Sequence, residues 1–207
     1  MFGFASCSAS REFFVPRENL RAQSPRGWPA AQYSLQLGGK DAGEAKVWSE
    51  GAAQVDHGDA KRTVLHIGFE IENRSATPMV FDVDRCRVND VQTSSADGLV
   101  LTPFEESGQL TIEPGLVGLL DFEFLLPRDT RPRDIESFRL VWVVSSDGET
   151  IVKSTPFRVD DTRHYRRSYY DPWWGVGFGY HYGYYGGFHH PGWHSWHGGP
   201  RLHFWAW

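Results

Sequence analysis

The chain has 207 residues, with 21 Lys and Arg against 26 Asp and Glu, a formal charge of -5 when His is neutral. That acidic balance, with no basic face evident, argues against nucleic acid, whose phosphates must meet a positive surface. No apolar run of about 18 residues occurs, so no segment is predicted to cross a bilayer as a helix, and the length suits one ordinary domain with appendages.

Met1–Ser10 reads MFGFASCSAS, and within it Phe4-Ala5-Ser6-Cys7 resembles the end of a bacterial lipoprotein signal, where small residues precede the cysteine that receives lipid. A full signal has a positive start and an apolar stretch of about 7–15 residues, of which only the end is present. Two readings follow: a start codon lying further upstream, with Cys7 lipidated, or a free N-terminus carrying a stray thiol. From Ser8 to Pro29 no period of 2 or 3.6 persists, and residues 1–30 read as a lipobox-like start followed by a flexible tether.

The folded body is expected over residues 31–160. Tyr33, Leu35 and Leu37 alternate with polar residues up to Gly38-Gly39, and Ala45, Val47 and Trp48 mark a second, short strand. Asp56-His57-Gly58-Asp59 reads as a polar loop. The central signal is Leu65, Ile67, Phe69 and Ile71, apolar at every second position, then the turn-rich Asn73–Pro78, then Met79, Phe81 and Val83. Cys86 and Val88 fall on the opposite parity. A bulge or strand end near Asp84-Arg85 is therefore required if both sets are to face inward. Leu99–Leu101, Leu110 with Ile112, and the row Leu120, Phe122, Phe124 and Leu126 add further strands. Phe138, Leu140, Trp142 and Val144 form another row, with Val141 and Val143 suggesting a central position. Asp147-Gly148 predicts a hairpin that folds Ile151–Val159 back on it, and Pro156 makes this last strand an edge or breaks it.

About seven to nine short strands and no helix of any length predict an all-β protein, an immunoglobulin-like antiparallel β-sandwich. His66–Ser75, Pro78–Phe81, Leu110–Gly115 and Leu120–Phe124 together resemble the small bacterial extracytoplasmic Ig-like domains of the DUF4352 group. That family pattern is a strand ending in Asn-x-Ser, a strand led by Pro, and a Pro-Gly turn opening a hydrophobic strand. The resemblance covers roughly residues 31–160 and implies an Ig-like fold on an envelope lipoprotein, with no shared catalytic residues. Asn73-Arg74-Ser75 also fits a glycosylation sequon and is read as a turn.

Residues 161–207 form a low-complexity tail. Seven of the nine His and six of the nine Trp lie beyond Asp161, separated by Gly and Tyr. With little aliphatic filler, such a segment is a poor builder of its own core. Four readings stand. The first is a low-complexity extension with no defined ligand. The second is metal binding by His189, His190, His194 and His197, joined by His181 or His203, for which neutral imidazole suits Zn, Cu or Ni. The third is contact with glycans or a membrane interface through Trp173, Trp174, Trp193 and Trp196. The fourth is packing of part of the tail back on the sandwich, with Trp173-Trp174 covering a sheet face or edge.

No nucleophile elbow, zinc-protease helix or phosphate loop occurs, and the chain is expected to be non-enzymatic. The expected function is a cell-envelope Ig-like binding or structural module, periplasmic, outer-membrane or secreted. Its tail would contact surfaces or ligands, its partners would be an envelope protein or glycan surface, and the membrane would be reached through lipid on Cys7. The alternative is a periplasmic metal-binding protein whose tail His hold Zn, Cu or Ni.

Overall fold

The alternating rows at Leu65–Ile71 and Leu120–Phe124 lie in neighbouring antiparallel strands, Phe69 opposite Leu120 and Ile67 opposite Phe122. None of these side chains is more than 3 % exposed, because period-2 alternation places every second residue on the one face that is covered. The computed structural model describes residues 11–56, 60–94, 98–104 and 107–160, together with the backbone of 57 and 203–205.

In chain order the strands are β1 (Arg11–Glu12), β2 (Phe14–Pro16), β3 (Leu20–Gln23), β4 (Pro29–Leu37), β5 (Lys40–His57), β6 (Ala60–Asn73) and β7 (Met79–Asp82). They continue with β8 (Arg87–Thr93), β9 (Leu99–Leu101), β10 (Gln109–Ile112), β11 (Val117–Leu125), β12 (Ile135–Ser146), β13 (Glu149–Val159) and β14 (His203–Trp205). One sheet runs β14-β11-β6-β5-β4-β3, with β1 added on β5. The other runs β10-β7-β12-β13-β2, with β8 on β12 and β9 on β8.

Between the two layers lies an aromatic core. Phe69 of β6 meets Phe81 of β7 edge-on with centroids 5.0 Å apart, and Phe122 of β11 stacks on Phe81 at 5.4 Å. Trp142 of β12 takes the edge of Tyr33 at 5.6 Å and of Phe69 at 5.8 Å, so one buried indole ties three strands together. These offset and edge-on pairs are the arrangements the ring quadrupole favours. With β5-β6-β11 facing β7-β12-β13, and the chain from β4 onward crossing between layers after β6, after β10 and after β11, the connectivity is that of the A-B-E and C-F-G strands of an immunoglobulin domain. The protein is an Ig-like antiparallel β-sandwich.

The parity change after Val83 is absorbed by a 3-10 turn, Val83–Arg85, whose preceding Asp82 accepts the Arg85 amide at 3.2 Å. Met79, Phe81, Val83, Cys86 and Val88 are thereby all buried. The Asp147-Gly148 hairpin forms as expected, both residues at positive φ, and pairs Val144 with Ile151 and Phe138 with Phe157. Asn73 is wholly buried: its amide nitrogen donates to the Thr77 and Ile112 carbonyls, each at 2.9 Å, and its oxygen accepts the Ser75 amide. The Asn-Arg-Ser run is a turn lock.

Three expectations need correction. The tether ascribed to residues 8–30 is folded from Arg11 onward, as β1, β2 and β3, with Phe14 only 2 % exposed in the main core. Strands of two, three and four residues are too short to display a period, which is why the sequence reads as irregular there. The expected short strand at Ala45–Trp48 is an 18-residue strand, β5. Bulges at Ala42 and Glu50 re-phase it, so that Val47 and Ala52 both face the core and no single alternation spans it. The strand count also exceeds seven to nine, because the 3-10 turn divides β7 from β8, the N-terminal segment contributes three more and β14 adds another.

Candidate functional site

A two-layer sandwich has two lateral margins where the edges of its sheets meet. On one, β4 and β13 lie next to each other with their outer edges only partly paired. Among the described residues β3 covers β4 from Pro29 to Ala31, Asn19 accepts the Gln32 amide and no strand pairs with the outer side of the later half of β4, while β2 covers β13 from Phe157 to Val159. At the far end the Glu149 carboxylate accepts the Gly38 amide at 2.6 Å and joins the turns of the two layers.

Within those limits lies a polar groove of about 460 Å³. Arg21 of β3 and Lys153 of β13 bring its charge, Asn19, Gln32 and Gln36 bring carboxamides, and Ile151 and the Tyr33 ring bring its apolar surface. Among the described residues no carboxylate lines it, and neither cation makes a salt bridge with any of them. The Lys153 ammonium sits 6.0 Å from the Tyr33 ring centroid, within reach of a cation-π interaction. Tyr33 is itself fixed. Its hydroxyl lies 2.9 Å from Thr155 Oγ1 and 3.2 Å from the Ser154 carbonyl, and the buried Trp142 Nε1–H donates to the same Thr155 oxygen at 3.2 Å. The groove floor is thus pinned to the core by a buried polar triad. Its chemistry is that of a positive, hydrogen-bonding slot.

A second cluster lies on the outer face of the first sheet. Trp48 lies flat on Gly68, where any Cβ would fall on the indole, and the ring is 3 % exposed although it points away from the core. Arg11 reaches over this face, its guanidinium 5.0 Å from the Phe13 ring and 5.7 Å from the Trp28 ring, and donates to the Glu50 carbonyl at 2.7 Å. Beside it His66 lies 3.6 Å from a Glu123 oxygen. Burial pushes the imidazole down to about 4, and the Arg11 charge adds to the effect. His66 is therefore neutral near pH 7, and the cluster works as packing that clamps β1 beside the Glu50 bulge of β5, at Gly51, where a side chain would meet the Glu12 carbonyl.

At the other margin the β11 edge is covered. The backbone of β14 pairs with β11, His203 opposite Leu119 and Trp205 opposite Val117, while Pro103 bridges to Phe124 and Phe104 donates to the Glu123 carbonyl at 2.7 Å. The C-terminal end of the tail therefore does return to the sandwich, at a strand edge. His203 belongs to that strand.

Cys7, His181, His189, His190, His194, His197, Trp173, Trp174, Trp193 and Trp196 lie outside the described residues. Among the described residues no three His, Cys, Asp or Glu side chains come together to hold a metal, and no helix is long and apolar enough to cross a membrane. Sequence reasoning missed Arg21, inside the presumed tether, and Lys153, an ordinary polar position of a strand. The one available signal was Pro156, which marks β13 as a strand with a side to spare. Compared with known proteins, the chain matches no family model and no curated relative.

Proposed function

We propose that this protein is a non-enzymatic module of the bacterial cell envelope, a lipoprotein or secreted protein. In this reading its Ig-like sandwich binds a partner at the β4–β13 margin, and its aromatic and His-rich tail contacts surfaces or ligands. The observation that carries the binding role is the groove itself: two cations and three carboxamides face a slot with no carboxylate among its described lining residues, in a chain whose net charge is -5. Positive lining on an acidic protein is local electrostatic complementarity to a negative ligand. The envelope assignment rests on the lipobox-like Cys7 and on the resemblance of residues 31–160 to extracytoplasmic Ig-like domains.

The test is to express the gene with its native upstream region, label with palmitate and fractionate the cells. The expected result is a labelled envelope protein whose label disappears in Cys7→Ser. A protein that stays in the cytosol without label, from a reading frame encoding no basic start and apolar stretch before Cys7, removes the lipoprotein reading. The four imidazoles between His189 and His197 favour a second role, a periplasmic protein holding Zn, Cu or Ni. That role requires saturable Zn or Cu binding that vanishes when His189, His190, His194 and His197 are replaced.

A further inference from the structure

The geometry points to a strand-addition site: the free edge of β13, with Lys153 and Arg21 beside it, takes an extended peptide carrying acidic residues at alternate positions. This rests on reading the β4–β13 margin as the binding face, and it names the occupant.

The backbone supplies the first half of the argument. The two-residue turn makes Ser146 and Glu149 a hydrogen-bonded pair, and alternation along the antiparallel ladder then points the N–H and C=O of Thr150, Val152 and Ser154 away from β12. Pro156 follows the same phase. Its carbonyl accepts the Arg17 amide at 2.9 Å on the β2 side, so its missing N–H falls outside the β12 ladder, where the ladder with β12 does not need it. Of the other outward groups, the Ser154 carbonyl takes the Tyr33 hydroxyl. The main-chain groups of Thr150 and Val152 face an edge with no paired strand among the described residues. An extended polypeptide satisfies such a row by continuing the sheet.

Side chains supply the second half. Ile151 and Lys153 face the groove, whereas Val152 lies on the opposite side of the strand and is 55 % exposed. A strand added beside β13 shares its pleat, so its alternate side chains point into the groove toward Lys153 and Arg21, and the intervening ones lie beside Val152. Charge complementarity assigns Glu or Asp to the first set, and the exposed valine assigns β-branched residues to the second. A glycan would use the cations but has no need of the Thr150 and Val152 amides, so the free edge favours peptide.

The test uses the full chain, labelled with nitrogen-15 and titrated with the capped peptide Thr-Val-Glu-Val-Glu-Val-Thr. Expected results are slowed amide exchange at Thr150 and Val152, and affinity reduced about tenfold or more in the Arg21→Glu, Lys153→Glu double variant. Val152→Pro should cost a similar factor with no change in the thermal unfolding midpoint, because the amide it removes points outward as that of Pro156 would. Equal affinity of the Val152→Pro protein, or equal binding of the same peptide with Lys for Glu, overturns strand addition. An oligogalacturonate probe separates the two layers of the argument. If it binds through Arg21 and Lys153, ignores Val152→Pro, and the peptide fails, the peptide is wrong and the groove remains the binding face. If neither probe perturbs the margin at millimolar concentration, both the occupant and the groove are wrong, whatever the palmitate experiment shows.

Discussion

The two margins of this sandwich are finished in opposite ways. At the β11 edge the chain supplies its own cover, with β14 on one half and Pro103-Phe104 on the other. At the β4–β13 margin the cover stops short, and the space left is lined with cations and amides around Ile151 and the Tyr33 ring. An edge strand must be paired, covered or charged to stay soluble. Of these two edges, one is paired and the other charged, and it is the charged one whose Thr150 and Val152 main-chain groups have no paired strand among the described residues.

The comparison predicts where the molecule is most easily broken. Thr155→Val removes the common acceptor of Tyr33 and Trp142, leaves two buried donors without it, and should cost about 3 kcal/mol in urea unfolding. A loss under about 1 kcal/mol would mean that the groove floor is not held by this triad.

Next in size is the face between the margins. Gly68→Ala places a methyl group where the Trp48 indole lies, and displacing that ring should cost about 2 kcal/mol. Near-ultraviolet circular dichroism should report the moved tryptophan. Unchanged stability and spectrum would show that the Trp48 indole is not held on Gly68.

A smaller effect should depend on pH. Burial lowers the His66 pKa from 6.5 to about 4 in the folded chain, so the unfolded chain takes up the proton first as pH falls. Stability from this residue is complete above pH 6.5 and is lost between 6.5 and about 4. Water reaches 30 % of its side chain, which holds the effect to about 1–2 kcal/mol. His66→Gln should flatten the stability curve relative to wild type over that window, and parallel curves would contradict the assignment.

The smallest expected change sharpens the comparison most. Deleting residues 200–207 removes a three-residue strand pairing and should cost less than about 1 kcal/mol, while amide protection within 117–119 falls. Concentration-dependent self-association of the deletion variant would show that β14 is a shield for the β11 edge. If protection at those amides is unchanged, the closed margin does not depend on the C-terminal strand.

Much of this was legible in the residues because burial on one face forces a period of 2. The rows Leu65–Ile71, Leu120–Leu126 and Phe138–Val144, the Asp147-Gly148 turn and the parity break near Asp84 all follow from that rule. β5 was misjudged in length because two bulges reset its phase, and β1 to β3 were invisible because two to four residues cannot show a repeat. The groove was not legible at all: Arg21 and Lys153 are 132 positions apart and become neighbours only where two sheets meet.

By itself, then, the sequence determined the layers: which side chains turn inward, where the hairpins close, and that two sheets face each other around aromatic residues. The tertiary structure decided which strand edges are spent and which are left over. The reason is physical. Hydrophobic patterning is a local property of the chain, whereas the pairing of an edge depends on segments distant in sequence arriving beside it, and no alternation of residue types records that arrival.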